Sequence, residues 1–409
     1  MRITIIGAYG YGNLGDELML DGVLAGIGRT MPGAEITVIS GDPEETARSH
    51  EVHAIKRGGG TIARLQRYWE MVQSDLLVIG GGNLRDNLPE GRHSSRPNAL
   101  SMALGPVLLA HEIGVPTMCY AISIGHVVTP QGRSALKDCL VSVDAVTVRD
   151  PSSAARISEL GVSREITVAA DAAFSVMPES RHSEHRSGIV LALRHWFEKG
   201  NFVENPEEFH RMLREIATYC DAFIEQYHEP VWLVPFKATE ADGDNDVAIH
   251  RELAAMMDHE DEVKLMNRVP DLGGLSDLFA SARLVLGMRL HSVIIATATG
   301  TPWVSIDYDP KVRSFACYAG HERFCLEVED ISSGRLLELH GAALAEWEAI
   351  SDRLLDVSER FRSLERNNAE VARNVLRIRP PRSAFRKMVV RTIRLLGYRL
   401  RKRATKETI

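Results

Sequence analysis

The sequence predicts an α/β chain of two Rossmann-like, mainly parallel-sheet domains facing one another across a cleft, with helices closing the C-terminal side. Three observations carry that expectation. Short runs rich in β-branched residues alternate with longer helical patterns, the arrangement that βαβ units impose. The alternation breaks at a polar, core-poor run from Pro178 to Arg186 and then restarts. The chain of 409 residues is longer than one core ordinarily serves, and its 44% hydrophobic content suffices for two. The boundaries that follow are 1–178 for the first domain, 187–333 for the second, 334–375 for closing helices and 381–409 for a basic tail.

The expected strands of the first half are residues 3–6, 36–39, 76–79, 117–124, 145–148 and 165–169. The first runs into residues 7–15, where glycines let the backbone turn sharply and approach a ligand. Gly10, Gly12 and Gly15 formally fit the dinucleotide fingerprint. Two features count against it: Gly10 stands too far past the strand end at Gly7, and Asp16 and Glu17 would repel a pyrophosphate at the helix start. Asn13, Asp16 and Glu17 suit sugar hydroxyls instead, because carboxylates and amides bond to neutral donors. That makes them candidates for an acceptor site, while a cap role for Asp16 on a helix from about Leu18 is the equal alternative. Gly80-Gly81-Gly82-Asn83 and Ser123-Ile124-Gly125-His126 follow strands in the same way and read as further ligand-edge loops. Arg149 ends a strand just before Asp150-Pro151-Ser152, a helix start, so its guanidinium falls at the sheet's carboxyl edge. There it either grips an anionic ligand or pairs with Asp150 or Asp171.

In the second half the pattern reads strand 189–193, helix 206–227, strand 231–235, helix 247–257, strand 263–266 and helix 272–282. Arg194 and Trp196 leave the first of these strands toward the cleft, where Trp196 either stacks on a ring or seals the domain base. The acidic run with Asp242, Asp244 and Asp246 partly matches a calcium loop. Leu253 at the twelfth position excludes that, and a solvated loop is the better account. The segment the chain is organised around is 287–311: a strand ends at Gly287, a helix carries His291 away from Arg289, and Asp307, Asp309 and Lys311 follow the next strand. Two cations and an imidazole then meet at the edge where open α/β sheets bind ligands, which suits an anionic substrate undergoing proton transfer. The plain alternative is ion pairing of Arg289 and Lys311 with Asp307 and Asp309.

Residues 334–374 carry an amphipathic stripe fit to brace the two domains, and beyond Pro381 a basic amphipathic segment fits an anionic membrane surface or a partner. A formal net charge of -7 argues against a general nucleic-acid binder. Five scattered cysteines without a Cys-x-x-Cys pair indicate neither a disulfide framework nor a zinc site. With no signal-like start and no spanning apolar stretch, the expected location is the cytoplasm, peripheral on the inner face of the plasma membrane if the tail binds lipid.

The runs Gly287-Met288-Arg289-Leu290-His291 and Asp307-Tyr308-Asp309-Pro310-Lys311, with Gly10-Tyr11-Gly12-Asn13-Leu14-Gly15-Asp16-Glu17, resemble the polysaccharide pyruvyl transferase family. Gly80-Gly81-Gly82, Ser123-Ile124-Gly125, Val148-Arg149-Asp150 and Ala170-Asp171-Ala172-Ala173-Phe174 extend the match in the expected order. The resemblance implies a GT-B-like architecture and a reaction in which phosphoenolpyruvate donates its enolpyruvyl group to a sugar of a cell-surface polysaccharide or glycolipid precursor, whether lipid-linked, nucleotide-linked or a finished glycan, to form a pyruvate ketal. It implies His291 as proton donor, Arg289 as a catalytic cation, Arg149 and Lys311 as donor ligands, and neither metal nor cofactor. A nucleotide-sugar glycosyltransferase and a silent glycan-binding member are the competing readings.

Overall fold

A computed structural model describes residues 1–86, 99–127, 129–178, 186–195, 205–239 and 245–378. The first half runs β1 (Arg2–Ile6), α1 (Leu14–Thr30), β2 (Glu35–Ser40), α2 (Pro43–His50), β3 (His53–Lys56), α3 (Thr61–Gln73), β4 (Leu76–Gly80), β5 (Asn83–Leu84), α4 (Ala99–Ile113), β6 (Thr117–Ile124), α5 (Pro130–Ser142), β7 (Ala145–Val148), α6 (Pro151–Glu159) and β8 (Thr167–Val168). Its strands form one parallel sheet in the order β3-β2-β1-β4-β6-β7-β8, with β5 paired to β6. All eight residues of β6 are buried, as a central strand covered on both faces requires.

The second half runs β9 (Ile189–Ala192), α7 (Pro206–Tyr227), β10 (Val231–Leu233), α8 (Asp246–Ala254), β11 (Val263–Leu265), α9 (Leu272–Ser281), β12 (Leu284–Gly287), α10 (Leu290–Thr299), β13 (Trp303–Asp307), α11 (Pro310–Ala319) and β14 (Cys325–Glu327). Its sheet, also parallel, has the order β11-β10-β9-β12-β13-β14. Strand order reverses between β1 and β4 in one sheet and between β9 and β12 in the other. The crevices outside the carboxyl ends of those pairs are the natural ligand sites.

Two helices end the described chain, α12 (Ser333–Ala345) and α13 (Trp347–Ile378). At 32 residues, α13 is ~48 Å long and reaches from one half to the other. Ile350, Leu354 and Phe361 join the core of the second half, while Ala369, Ala372 and Val375 join that of the first. Each large side chain so buried contributes ~1.5–3 kcal/mol. The apolar stripe therefore holds the strap, and Glu365 sets its register by accepting from Arg29 Nη2 at 3.0 Å, Ser175 Oγ at 2.9 Å and Tyr120 Oη at 3.3 Å. Arg362 donates to the Met177 carbonyl at 2.7 Å, fixing the chain where it leaves the first half.

Three short strands go beyond the sequence reading: β3, β5 and β14. The expected strand at 165–169 contracts to β8. Trp196, Asp242, Asp244 and the tail 381–409 lie outside the described residues.

Candidate active site

After β1 the chain turns through Gly10, whose φ of +75° suits glycine, and the Gly10 N–H donates to Glu17 Oε1 at 2.9 Å. Glu17 Oε2 lies 3.0 Å from His50 Nε2, and His50 Nδ1 lies 2.6 Å from Asp21 Oδ1. Burial disfavours a charged His50, but hydrogen bonds to Asp21 and Glu17 outweigh it and push its pKa up to about 9. Glu17 thus locks the glycine loop to the end of α2. Asn13, rather than Asp16, caps α1: its Oδ1 accepts from the Gly15 N–H at 3.3 Å, and its Nδ2 donates to Asp16 Oδ2 at 2.6 Å. The same turn is the seam to the second half, because Asn13 bridges to Lys237 and the Leu14 N–H donates to the Phe236 carbonyl at 2.9 Å.

From the other loops of the first sheet, Tyr9 Oη reaches the Gly80 carbonyl at 2.8 Å, tying the crevice between β1 and β4. A bulge in β6 at Ala121, where φ is +49°, shifts its register against β7. Two residues further on, Ser123 Oγ accepts from Arg149 Nη2 at 2.8 Å. Arg149 Nη1 donates to Asp171 Oδ2, also at 2.8 Å. Of the sequence alternatives for Arg149, the pair with Asp171 is the one formed.

Asp171 Oδ1 then faces the second half, 3.7 Å from His291 Nε2. Burial would raise the Asp171 carboxyl, but Arg149, His291 and the Ala173 N–H together hold it well below the usual carboxylate range. The His291 ring is nearly buried, and its Nε2 has no hydrogen-bond partner among the described residues. Helix α1 crosses directly over it: a Cβ at Gly15 would overlap His291 Nδ1, so only glycine lets α1 come this close. Asp16 sits nearby, half-buried. Burial raises its pKa, reinforced by Glu17, and His291, Asn13 and Lys311 oppose the rise.

Arg289 does not pair with Asp307 or Asp309. Its Nε donates to Asp246 Oδ2 at 3.0 Å and its Nη2 to Asp246 Oδ1. Asp246 is completely buried and also accepts from the Phe236 and Lys237 N–H groups at 2.9 and 3.0 Å. The solvated-loop reading of Asp246 is therefore overturned: the carboxylate turns inward because a guanidinium and two amides await it. Arg289 thereby organises the Phe236–Lys237 strip that contacts Asn13 and Leu14.

Lys311 Nζ lies 3.7 Å from Asp309 Oδ2, which also accepts from Arg85 Nη1 of the first half at 3.2 Å. Burial would raise Asp309, but Lys311 and Arg85 hold it below its ordinary value. Arg149, Asp171 and Lys311 line one cavity of about 10 Å³, room for about one water, with Phe174, Phe315 and Phe361 among its other walls. A separate cleft of about 440 Å³ is lined by His126 and Arg156 from the first half and by Tyr308, Asp309 and Arg313 from the second. Tyr308 Oη accepts from Arg194 Nη1 at 3.2 Å.

The structure thus gathers His291, Arg149 and Lys311, with Asp16 at the same seam. Asn13 and Glu17 bond within the glycine loop and the start of α1, and Arg289 is held a step behind by Asp246. Arg85, Asp246 and Tyr308 carry no assigned role in the sequence reading. Tyr308 had a usable signal, its place between Asp307 and Asp309, whereas the partners of Arg85 and Asp246 are set by tertiary packing.

The family model for polysaccharide pyruvyl transferase matches residues 13–310. Amylovoran biosynthesis protein AmsJ of Erwinia amylovora is 21% identical over 412 residues, covering 89% of this chain and 97% of AmsJ. Among solved structures, UDP-GlcNAc 2-epimerase from Neisseria meningitidis bound to UDP-GlcNAc matches with a TM-score of 0.59 at 8% identity, over 92% of this chain and 99% of that one. The S. aureus MnaA–UDP co-structure gives 0.58 at 11% identity, over 90% and 94%. Likeness at such identity speaks for the fold alone, a GT-B-like pair of parallel-sheet domains shared with glycosyltransferases and sugar epimerases.

Proposed function

Because the chain belongs to the polysaccharide pyruvyl transferase family, we propose that it moves the enolpyruvyl group of phosphoenolpyruvate onto a sugar, bridging two hydroxyls as a pyruvate ketal. The acceptor is a building block of a cell-surface polysaccharide or glycolipid, a reading supported by the biosynthetic role in the Erwinia relative's name. The observation that carries the proposal is Asp171, which stands between Arg149 on one side and His291 on the other, with Lys311 lining the same cavity as Arg149. A buried imidazole whose Nε2 has no hydrogen-bond partner among the described residues, beside fixed cations, suits an anionic alkene that must be protonated.

In this reading His291 gives a proton to the methylene carbon, leaving an oxocarbenium-like carbon for a sugar hydroxyl to attack. Arg149 and Lys311 hold the donor's phosphate and carboxylate, and Arg289, anchored by Asp246, adds positive field as phosphate departs. Asn13 and Asp16 stand on the acceptor side, with Glu17 stiffening the loop that carries them. The basic tail 381–409 keeps the enzyme on an anionic bilayer where lipid-linked acceptors reside, each cation near the surface contributing on the order of 1 kcal/mol.

The test incubates purified protein with phosphoenolpyruvate and a panel of free, nucleotide-linked and lipid-linked sugars, following phosphate release and the product's mass. Phosphate release with a pyruvyl increment on the sugar is expected. Consumption of a sugar nucleotide with phosphoenolpyruvate untouched would replace this reading with glycosyl transfer.

A further inference from the structure

One imidazole does not complete the proposed chemistry. Attack of the first hydroxyl requires a proton delivered to the methylene carbon and another removed from the hydroxyl, in the same step but at different atoms. Ketal closure then requires a proton for the departing phosphate and removal of one from the second hydroxyl. A second proton-transferring group must stand at the same sheet edge.

Tyr308 directly follows β13, one strand over from the β12 edge that presents His291. Cations from neighbouring elements converge on it. Arg194, beyond the end of β9, donates to the phenol oxygen at 3.2 Å and holds its guanidinium carbon 5.1 Å from the ring centroid. Lys311, in the first turn of α11, brings its Nζ to 5.2 Å from the centroid, and Arg289, beyond the end of β12, adds to the field. Asp309 is the acidic neighbour that opposes them. Burial alone would push the phenol up, but the three cations prevail and set it below its ordinary value. Burial pushes Tyr9, Tyr120, Tyr219 and Tyr318 the other way. Tyr308 also lines the 440 Å³ cleft, which residues of both halves enclose.

We propose that the Tyr308 oxygen, held by Arg194 with Lys311 over the ring, takes the proton from the attacking sugar hydroxyl and returns it to the departing phosphate. The role rests on the pyruvyl-transfer reading. In the first step the imidazolium of His291 protonates the methylene carbon, the sugar oxygen bonds to the adjacent carbon, and the Tyr308 phenolate receives the hydroxyl proton. In the second step the carbon–oxygen bond to phosphate breaks, and Tyr308 protonates the leaving oxygen. The second hydroxyl closes the ketal, and neutral His291 takes its proton. Both groups end as they began, and the two hydroxyl protons account for one methyl hydrogen and one on phosphate.

Two readouts test this. Ultraviolet titration of wild type minus Tyr308→Phe isolates one of the nine tyrosines. It should ionise below the ordinary value of about 10, and Arg194→Gln should move that ionisation up. Tyr308→Phe should lower kcat ~10²–10⁴-fold with little change in donor KM. Because the phenolate is the active form, Arg194→Gln should shift the acidic limb of the rate profile to higher pH, and Arg194→Lys should restore it in part. A Tyr308 that ionises near the ordinary value, or a Tyr308→Phe enzyme that keeps half the wild-type rate, overturns the proposal. A wild type that never releases phosphate from phosphoenolpyruvate defeats the pyruvyl-transfer reading and this role with it, while the difference titration still reports whether the phenol is acidified.

Discussion

Asp171→Asn removes one negative charge from the middle of the seam at nearly constant shape. The Arg149 and Asp171 side chains are 6% and 3% exposed and 2.8 Å apart, so the pair behaves as a buried one. Removing one partner of such a pair costs ~3–5 kcal/mol, because the other charge stays buried without compensation. The amide oxygen and the Ser123 hydroxyl still accept from Arg149, which holds the loss near the lower end, about 3 kcal/mol. For a cooperative unit the size of the first half, that is a fall in Tm of about 6–12 °C. Turnover should fall ~10²–10⁴-fold as His291 loses the carboxylate beside it. The pH dependence carries a sign. A carboxylate held below its unfolded value contributes stability that is present above about pH 4 and is lost as pH falls through the depressed value. The Tm gap between wild type and variant should therefore be level at neutral pH and close in acid. Circular-dichroism melts and a phosphate-release assay measure both effects. A variant that melts within about 1 °C of wild type and keeps full turnover would refute the bridge.

The other predictions concern separate parts of the site. His291→Ala should abolish turnover while the melt stays cooperative, and near-normal activity would remove His291 from the mechanism. Lys311→Ala should mainly raise the donor concentration needed for half-maximal rate, read from initial rates. His50, raised to about 9, contributes stability that is complete below about 6.5 and is lost as pH rises through about 9. Urea midpoints should therefore fall over that window in wild type and stay flatter in His50→Gln, by no more than about 3 kcal/mol. Deleting residues beyond Pro381 should abolish flotation with anionic liposomes, and undiminished flotation would end the membrane role of the tail.

Much of the fold was legible because each βαβ unit writes its signature locally. Asp150-Pro151, Asn205-Pro206 and Asp309-Pro310 each place a capping side chain before a proline at the first helical turn, and each cap forms. Helix α10 was legible as a helix from its composition, although it is buried on every side and carries no polar face. The short edge strands β3 and β14 escaped because four and three residues show too little alternation to stand out. In the site, the cations were legible as charged residues at strand ends. Asp171 was among the partners the sequence offered Arg149, whereas Asp246, 43 positions from Arg289, was not offered to it. Composition does not say which carboxylate of an acidic run turns inward. Asp246 does so because the Phe236 and Lys237 amides point at it, a fact of tertiary packing.

The most direct test of the account runs the reaction in deuterated water and examines the pyruvyl methyl group of the product by mass spectrometry. Protonation of the methylene carbon by His291 predicts a solvent-derived deuterium in that methyl group, and no such product from His291→Ala. A ketal whose methyl group carries no solvent deuterium, or a sugar product with no pyruvyl group at all, would contradict it.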